Sequence, residues 1–396
     1  MRCTIADFGM VSALGVGKED SAARLFSGAL PATTSRTLTD GRRVPVLAIW
    51  ESSTIIPPAL KPFDCRNNRI AAMTLAQIRE AVERALSQFG PDRVGVVVGS
   101  STSSLEATER AVRAFAQSGV HPPDYHFDRQ HAMGALSSFL AARSGARGPA
   151  YTVSTACSSA AKALLCAKGL IETGICDAVI SGGVDTLCDL TVNGFAALGQ
   201  VSDERTNPMS AHRRGLNIGE GGALFLLSRE DGPLSLAGGG ESMDAHHMSA
   251  PHPEGRGAAM AMAAALADAG IAAGDVGCIN LHGTGTKAND AMESLAVSGI
   301  FGDVPCSSTK PFTGHCLGAS GAVEAAICAI SLQDGKGRLP PHVWDGVVDP
   351  QIAPLHLITP GETWQQTGST AYMLSNSFAF GGNNCALVLR REGGLP

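Results

Sequence analysis

Aromatic residues make up only 5% of this 396-residue chain, with three tryptophans and three tyrosines. Its interior must therefore be filled by small and aliphatic side chains. Charge is also sparse, at 17% of residues, and the balance of −6 with a pI near 6.0 supplies no excess of positive charge. That excludes bulk attraction to nucleic acid or to an anionic membrane surface, while leaving room for a local basic patch. No CxxC pair occurs among the eleven cysteines, an odd number scattered mostly through apolar runs. Zinc sites and a disulfide framework are disfavoured, and reduced, buried thiols in a cytoplasmic protein are expected. The opening "MRCTIADFGMVSALG" has no long apolar core followed by a small-residue cleavage site, and the Ala-rich stretch 257–273 is broken by Asp268 and glycines. Neither a signal peptide nor a membrane span is expected. The chain also has no phosphate-loop spacing and no metal, nicotinamide or flavin motif.

What is present is 44% hydrophobic residues and 47 glycines, set in Val/Ile/Ala runs. This composition is enough for a large core and suits strands and helices in alternation, an α/β protein of one or two domains. Short apolar runs closed by Gly or Ser predict strands at 93–100, 177–183, 222–228, 277–283 and 385–390. Helical spacing of small and apolar residues predicts helices over 67–88, 157–173, 257–270 and 318–334. The prolines and mixed polarity of 31–66 predict irregular surface structure.

The order of elements occurs twice. A helix with "AAM" leads to "VGVVVGS" in one half and to "VGCINLHG" in the other, and "ACSSAAKALLCAKGLIETG" has a counterpart in "GHCLGASGAVEAAICAISLQDG". Ala-rich helices resemble one another by chance, so letters alone leave duplication open. If real, it implies two α/β halves, 1–235 and 236–396, joined near 229–240.

Four clusters carry possible chemistry. In "VSTACSSAAKALLCAKGL" a cysteine, Cys157, stands at the predicted first turn of a helix, where unpaired N–H groups and the dipole would favour the thiolate and amides could hold an oxyanion. Cys166, Cys176, Cys188, Cys278, Cys328 and Cys385 read instead as core thiols. "NLHGTGTKAND" places His282 after an apolar strand, the kind of strand end on which α/β active sites are built. "SSTKPFTGHCLGASGAVEA" gathers Lys310, His315 and Glu324, and "NSFAFGGNN" is a Gly/Asn-rich turn with two phenylalanines before a terminal strand. Any one of them alone reads as an ordinary structural feature.

Together, in this order, they resemble the β-ketoacyl-acyl carrier protein synthases of the thiolase superfamily. "GMVSALGVG", "STACSSA", "GFAALGQVS", "GLNIGEGGALFLL", "DAHHMSAPHPEG", "LHGTGT", "STKPFTGHCLGASGAVEA" and "NSFAFGGNN" carry the resemblance nearly end to end. It implies a thiolase fold, two βαβαβαββ halves in five layers, and makes duplication the expectation. It implies that Cys157 accepts an acyl group from the phosphopantetheine arm of an acyl carrier protein, so that no further cofactor is needed. His282 and His315 match the paired histidines that donate hydrogen bonds to the malonyl thioester oxygen as decarboxylation leaves an enolate. The oxyanion hole would be the N–H groups of Cys157 and Phe380. Lys310 and Glu324 would be supportive, through the local field and a hydrogen-bond network.

The same resemblance makes Phe195 and Phe378 pocket or gate residues and places Thr102 near a position that influences chain length. Arg66, Arg69, Arg213 and Arg214 are the candidates for a basic rim facing an acidic carrier. A dimer with a second copy or a homologue is implied. Three positions depart from the pattern: Ala379 replaces a usual Gly, Lys287 a usual Pro, and "SAHRRGLN" a more acidic approach to the "GEGG" turn. "TACSS" and "HGTGT" lean toward polyketide-type synthases, so fatty-acid, polyketide and aryl-polyene pathways all stay open. Two other readings stand beside the condensing enzyme. One is a non-catalytic, chain-length-determining partner subunit, against which the retained Cys157, His282 and His315 argue. The other is a thiolase using free coenzyme A, which would place a second catalytic cysteine near the C-terminal Gly-rich turn.

Overall fold

The computed structural model describes residues 3–50, 54–364 and 370–393. Its strands are, in chain order, β1 (Thr4–Ser12), β2 (Val94–Gly99), β3 (Ala150–Val153), β4 (Ala178–Asp185), β5 (Gly221–Ser228), β6 (Leu234–Met243), β7 (Cys278–Asn280), β8 (Pro305–Ser307), β9 (Thr370–Phe378) and β10 (Asn383–Glu392). They hydrogen-bond in the order β3-β2-β4-β5-β1, then β6-β10-β9-β7-β8, with shorter strands at the margins. Both sets repeat one pattern: first antiparallel to fifth, fifth antiparallel to fourth, fourth parallel to second, second parallel to third. Between β1 and β6 the pairing is Thr4 with Ser235.

The reason these runs are apolar at nearly every position is that each sheet is covered on both sides. Along β2, Val94, Val96 and Val98 enter one core and Val97 the other; along β10, Leu387 and Leu389 face one core and Ala386 and Val388 another. One core encloses the central helices between the sheets and one lies under the outer helices on each side, which gives five layers. Helix α1 (Arg66–Gln77) lies outside the first sheet, α2 (Ser159–Glu172) in the middle, and α3 (Arg256–Ala269) outside the second; α4 (Lys287–Phe301) follows the "HGTGT" turn, and α5 (Ser320–Gln333) joins α2 in the middle. Every residue of α5 from Ser320 to Leu332 is buried, as a helix walled in on all sides requires. This is the thiolase-type α/β fold. No helix among the described residues is long and apolar enough to cross a membrane.

Several expectations need correction. The helix expected over 67–88 is two, Arg66–Gln77 and Arg79–Phe89, broken at Ile78, whose φ of −109° and ψ of 12° leave the helical range. The stretch 31–66 contains a hairpin, Thr34–Thr37 against Arg43–Val46, and a 3-10 turn at Pro58–Phe63; residues 51–53 lie outside the described set. In the junction 229–240 only the first residues form a turn. The boundary 235/236 lies at the start of β6, and glycines further along that strand give the outer helix α3 close access: a Cβ on Gly240 would lie 2.1 Å from the Ala261 carbonyl oxygen.

Close approach of backbone to backbone positions the middle layer. A Cβ on Gly99, at the end of β2, would stand 2.3 Å from the Ala160 amide nitrogen in α2. Gly99→Ala should therefore cost about 1–3 kcal/mol, as overpacking does. Gly274→Ala, where nothing lies within 4 Å, should stay within about 0.5 kcal/mol of wild type. Denaturant melts of the two variants side by side check this.

Candidate active site

Strand β3 ends at Val153 and α2 begins at Ser159, and the chain turns sharply between them. Ala156 is held at φ +51°, a left-handed conformation rare for a side-chain-bearing residue. The serines behind it make that possible. The Thr155 N–H donates to Ser159 Oγ (2.9 Å), the Ser159 hydroxyl to the Ala156 carbonyl (2.5 Å), and the Ser158 hydroxyl to the Thr155 carbonyl (2.9 Å). Cys157 is thereby fixed in the turn ahead of the helix, with its sulfur aimed into a cavity of about 190 Å³.

The structure brings His282 and His315 to the same cavity. His315 Nε2 lies 3.0 Å from Cys157 Sγ, and its Nδ1 lies 2.9 Å from the Ser320 hydroxyl at the start of α5. The two imidazoles meet edge to face, 5.4 Å between centroids. Desolvation holds both well below the ordinary histidine range, and the nearby Lys310 ammonium pushes each further down, so both are neutral at pH 7. Burial likewise pushes the Cys157 thiol up to about 12, against the opposing pull of Lys310 and of the Phe380 N–H that donates to the sulfur. Burial thus works against the thiolate expected from the helix terminus. The resting site holds a thiol beside a neutral imidazole that can take its proton.

Lys310 is fully buried at the start of Lys310–Thr313. Its ammonium donates to Glu324 Oε1 (2.5 Å) and to the His282 carbonyl. Burial raises Glu324 to about 6, against the Lys310 charge. The pair satisfies two groups that would be costly to bury alone, and clamps the His282 backbone.

A second buried acid, Glu293 on α4, escaped the sequence reading. Its oxygens accept the His282 and Gly283 N–H groups, each at 2.7 Å, and Asn376 Nδ2 at 3.1 Å. Nothing in "NDAMESLA" marks it, since Asn289, Asp290 and Glu293 are all buried on a helix that reads as amphipathic. Asp185 was missed for a similar reason. It accepts from Ser100 Oγ, from Ser101 N–H and Oγ–H, and from Thr102 N–H and Oγ–H. That cluster claims Thr102, which does not line the cavity.

Phe195, Phe378 and Phe380 do line it, Phe195 stacking on Phe380 at 5.4 Å and meeting His315 edge-on. Ala379 sits at φ −115° and ψ 154°, ordinary extended backbone, while Gly381 and Gly382 carry the positive φ angles of that turn. Lys287 is exposed at the first position of α4, where its backbone N–H has no helical partner to lose.

Of the four arginines, Arg213 is corrected outright: it is buried, bound to Asp349 Oδ2 (2.5 Å) and the Ser210 carbonyl (2.8 Å). Arg66 is half-buried and paired with Glu220. Arg69 pairs with Asp64 but keeps an exposed side chain, and Arg214 is 69% exposed. Cys385 is fully buried in β10, as a core thiol should be.

Burial raises Glu293 from the ordinary 4.5 to about 7. The folded chain therefore keeps a proton that the unfolded chain releases, and the resulting stability is full below pH 4.5 and lost as pH rises through about 7. Glu293→Gln should flatten stability between those values by one proton, ~1.4 kcal/mol per pH unit. Urea titrations at several pH values read the slope.

Comparison with known proteins agrees with this geometry. Residues 66–232 match the family "Beta-ketoacyl synthase, N-terminal domain", and 235–343 match "Beta-ketoacyl synthase, C-terminal domain". The chain is 32% identical over 340 residues to nodulation protein E of Rhizobium meliloti strain 1021, covering 82% of this chain and 83% of the relative. It is 31% identical over 347 residues to 3-oxoacyl-[acyl-carrier-protein] synthase 2 of Staphylococcus aureus strain COL, covering 82% of each. Among solved structures, a chain of the complex of the ketosynthase ApeO with its chain length factor ApeC from Xenorhabdus doucetiae superposes with a TM-score of 0.92 at 40% identity, covering 100% of this chain and 98% of that one. A β-ketoacyl synthase from Burkholderia phymatum STM815 follows at 0.85 and 29%, covering 98% and 99%. The chain belongs to the β-ketoacyl synthase family and is an acyltransferase of the 3-oxoacyl-[acyl-carrier-protein] synthase type, a condensing enzyme of fatty acid or type II polyketide biosynthesis.

Proposed function

We propose that Cys157, His282 and His315 carry the condensation, in two stages that use His315 differently. The 3.0 Å contact between Cys157 Sγ and His315 Nε2 carries this reading. In the first stage the thiol proton passes to His315 Nε2 as sulfur attacks the carrier-bound acyl thioester. The tetrahedral oxyanion is met by the N–H groups of Cys157 and Phe380, and the departing pantetheine thiolate takes the proton back from His315.

In the second stage malonyl-carrier protein loses CO2, and the electron pair moves into an enolate. Its oxygen accepts hydrogen bonds from His282 and His315, donors whose strength counts only as that charge develops. The enolate carbon attacks the Cys157 thioester and expels the thiolate, which takes up a proton from solvent to restore the thiol, leaving a 3-oxoacyl-carrier protein. His315 must accept at Nε2 in one stage and donate there in the other. The Ser320 hydroxyl at its Nδ1 serves both tautomers, because a hydroxyl can accept from Nδ1–H or donate to bare Nδ1. Lys310 and Glu324 position His282 and take no proton.

An acidic carrier would dock by way of Arg69 and Arg214, the two rim candidates with exposed side chains. The second subunit would join along β3, whose edge is open, beside the exposed Tyr151, Phe115 and Phe127. The likeness to a chain of the ApeO–ApeC complex favours a homologous rather than an identical partner. Eleven unpaired cysteines suit a cytoplasmic setting.

Intact mass spectrometry with a panel of acyl-carrier proteins, followed by malonyl-carrier protein, tests this mechanism. Wild type should gain one acyl mass and then release a carrier-bound chain two carbons longer. Cys157→Ala should gain none, and its acylation would defeat the assignment. His282→Ala should still acylate yet condense about 10²–10³-fold more slowly, the cost of an oxyanion donor. Ser320→Ala should slow both stages.

A further inference from the structure

Asp185 is fully buried and takes no part in that mechanism. It closes β4, whose parallel neighbour β2 ends at Gly99, opposite Gly183. The residues that follow Gly99 therefore meet the Asp185 carboxylate. It receives two N–H and three O–H groups from Ser100, Ser101 and Thr102, at 2.5–3.1 Å.

One of these donors reaches further. The Ser101 hydroxyl donates to Asp185 Oδ2 at 3.0 Å and accepts the Gly318 N–H, also at 3.0 Å. A hydroxyl has one proton, and the carboxylate claims it, so the Ser101 oxygen is left to accept from its other side. Gly318 lies against the same group: a Cβ there would fall 2.6 Å from Asp185 Oδ2 and 2.6 Å from the Ser101 nitrogen.

Gly318 is the middle of the turn Leu317–Ala319, which separates His315 from Ser320, the residue whose hydroxyl meets His315 Nδ1. Leu317 is held at φ +52°, a left-handed conformation that persists only where the surroundings enforce it. On the near side of the turn the backbone of His315 is fixed directly. Its N–H donates to the Asn217 carbonyl at 2.8 Å, and its carbonyl accepts from Gly219 N–H at 3.0 Å. The bond from Gly318 to Ser101 ties down the far side, next to Ser320.

We propose that Asp185, acting through Ser101, is a positioning residue for His315. It holds the strained turn that sets the Ser320 hydroxyl against Nδ1, and so aims Nε2 at the Cys157 sulfur. The proposal rests on the reading of His315 as the acceptor of the thiol proton.

Ser100 supplies a matched control. Its hydroxyl also donates to Asp185 (2.5 Å) and accepts one backbone N–H, that of Ser103 (2.8 Å), and neither partner belongs to the turn. Acylation of Cys157 by the carrier protein that wild type uses best is followed by intact mass. Ser101→Ala should lower the maximal rate roughly tenfold, the scale of a misplaced reacting group, with the half-saturating carrier concentration unchanged. Ser101→Thr, which keeps the hydroxyl, should recover most of that rate, and Ser100→Ala should keep the wild-type rate. Asp185→Asn, which fills the same space, should reproduce the Ser101→Ala loss and supplies the same reading if Ser101→Ala does not fold. An undiminished rate in Ser101→Ala, a loss shared by Ser100→Ala, a loss carried by half-saturation, or one that Ser101→Thr does not repair overturns the role of Asp185 and leaves the mechanism standing. A His315→Ala variant that acylates as fast as wild type overturns the proton-acceptor reading and this inference with it.

Discussion

A Cβ on Gly321 would lie 2.8 Å from the Cβ of Ala161, and that contact between α2 and α5 is the constraint on which the site depends. Cys157 precedes one helix and His315 the other, so the distance between sulfur and imidazole follows from how closely the two helices pack. Small residues at the contact, Ala161 against Gly321, remove the side-chain thickness that would hold them apart. The scarcity of aromatic residues and the abundance of glycine follow from the same need. A middle layer enclosed by two sheets has room for helices only if backbones approach one another.

Close packing also decides the electrostatics. With water excluded, ionised groups survive only where a partner lies against them, so the cation beside the histidines, Lys310, is bonded to Glu324 and to a carbonyl. The thiol and both imidazoles stay neutral. Neutrality suits a reaction in which charge appears and disappears twice, on sulfur and on an enolate oxygen. Preformed neutral donors favour those transient charges without binding the ground state more tightly. A resting thiolate would need a permanent counter-charge beside it, and a fixed cation there would stabilise the malonyl carboxylate of the ground state as well as the enolate that follows.

Much of this was legible in the chain. Cys157, His282 and His315 stand in short motifs at strand and helix ends, where spacing survives as a readable signal. The doubled order of strands was visible as a faint echo and became plain only in the matching hydrogen-bond order of the two sheets. Buried acids were invisible. Glu293 and Asp185 are satisfied by amides and hydroxyls, and Glu220 by amides and the Arg66 guanidinium, all from outside their own helix or strand turn, and no local pattern separates them from solvated carboxylates. Arg213 and Arg214 show the limit most sharply: adjacent and identical in letter, one is buried against Asp349 and the other points into solvent. The thiolate expectation rests on a dipole that can be read from a helix start, whereas the depth of water exclusion that opposes it is set by every layer around it.

The departure at Ala379 has a structural answer of the same kind. A glycine there would be free to leave the extended region, but the conformation of this turn needs that freedom elsewhere, at Gly381 (φ +82°) and Gly382 (φ +79°). Ala379 occupies φ −115°, which costs an alanine nothing, and its N–H and carbonyl are both engaged, with the Asn383 carbonyl and the Gly382 N–H. Replacing glycine by alanine at a compatible position lowers the entropy of the alternatives rather than raising the energy of the state observed, by about 0.4–1 kcal/mol. The turn that holds the Phe380 N–H against the sulfur is thereby biased toward the conformation observed, in which Gly381 and Gly382 alone take positive φ angles.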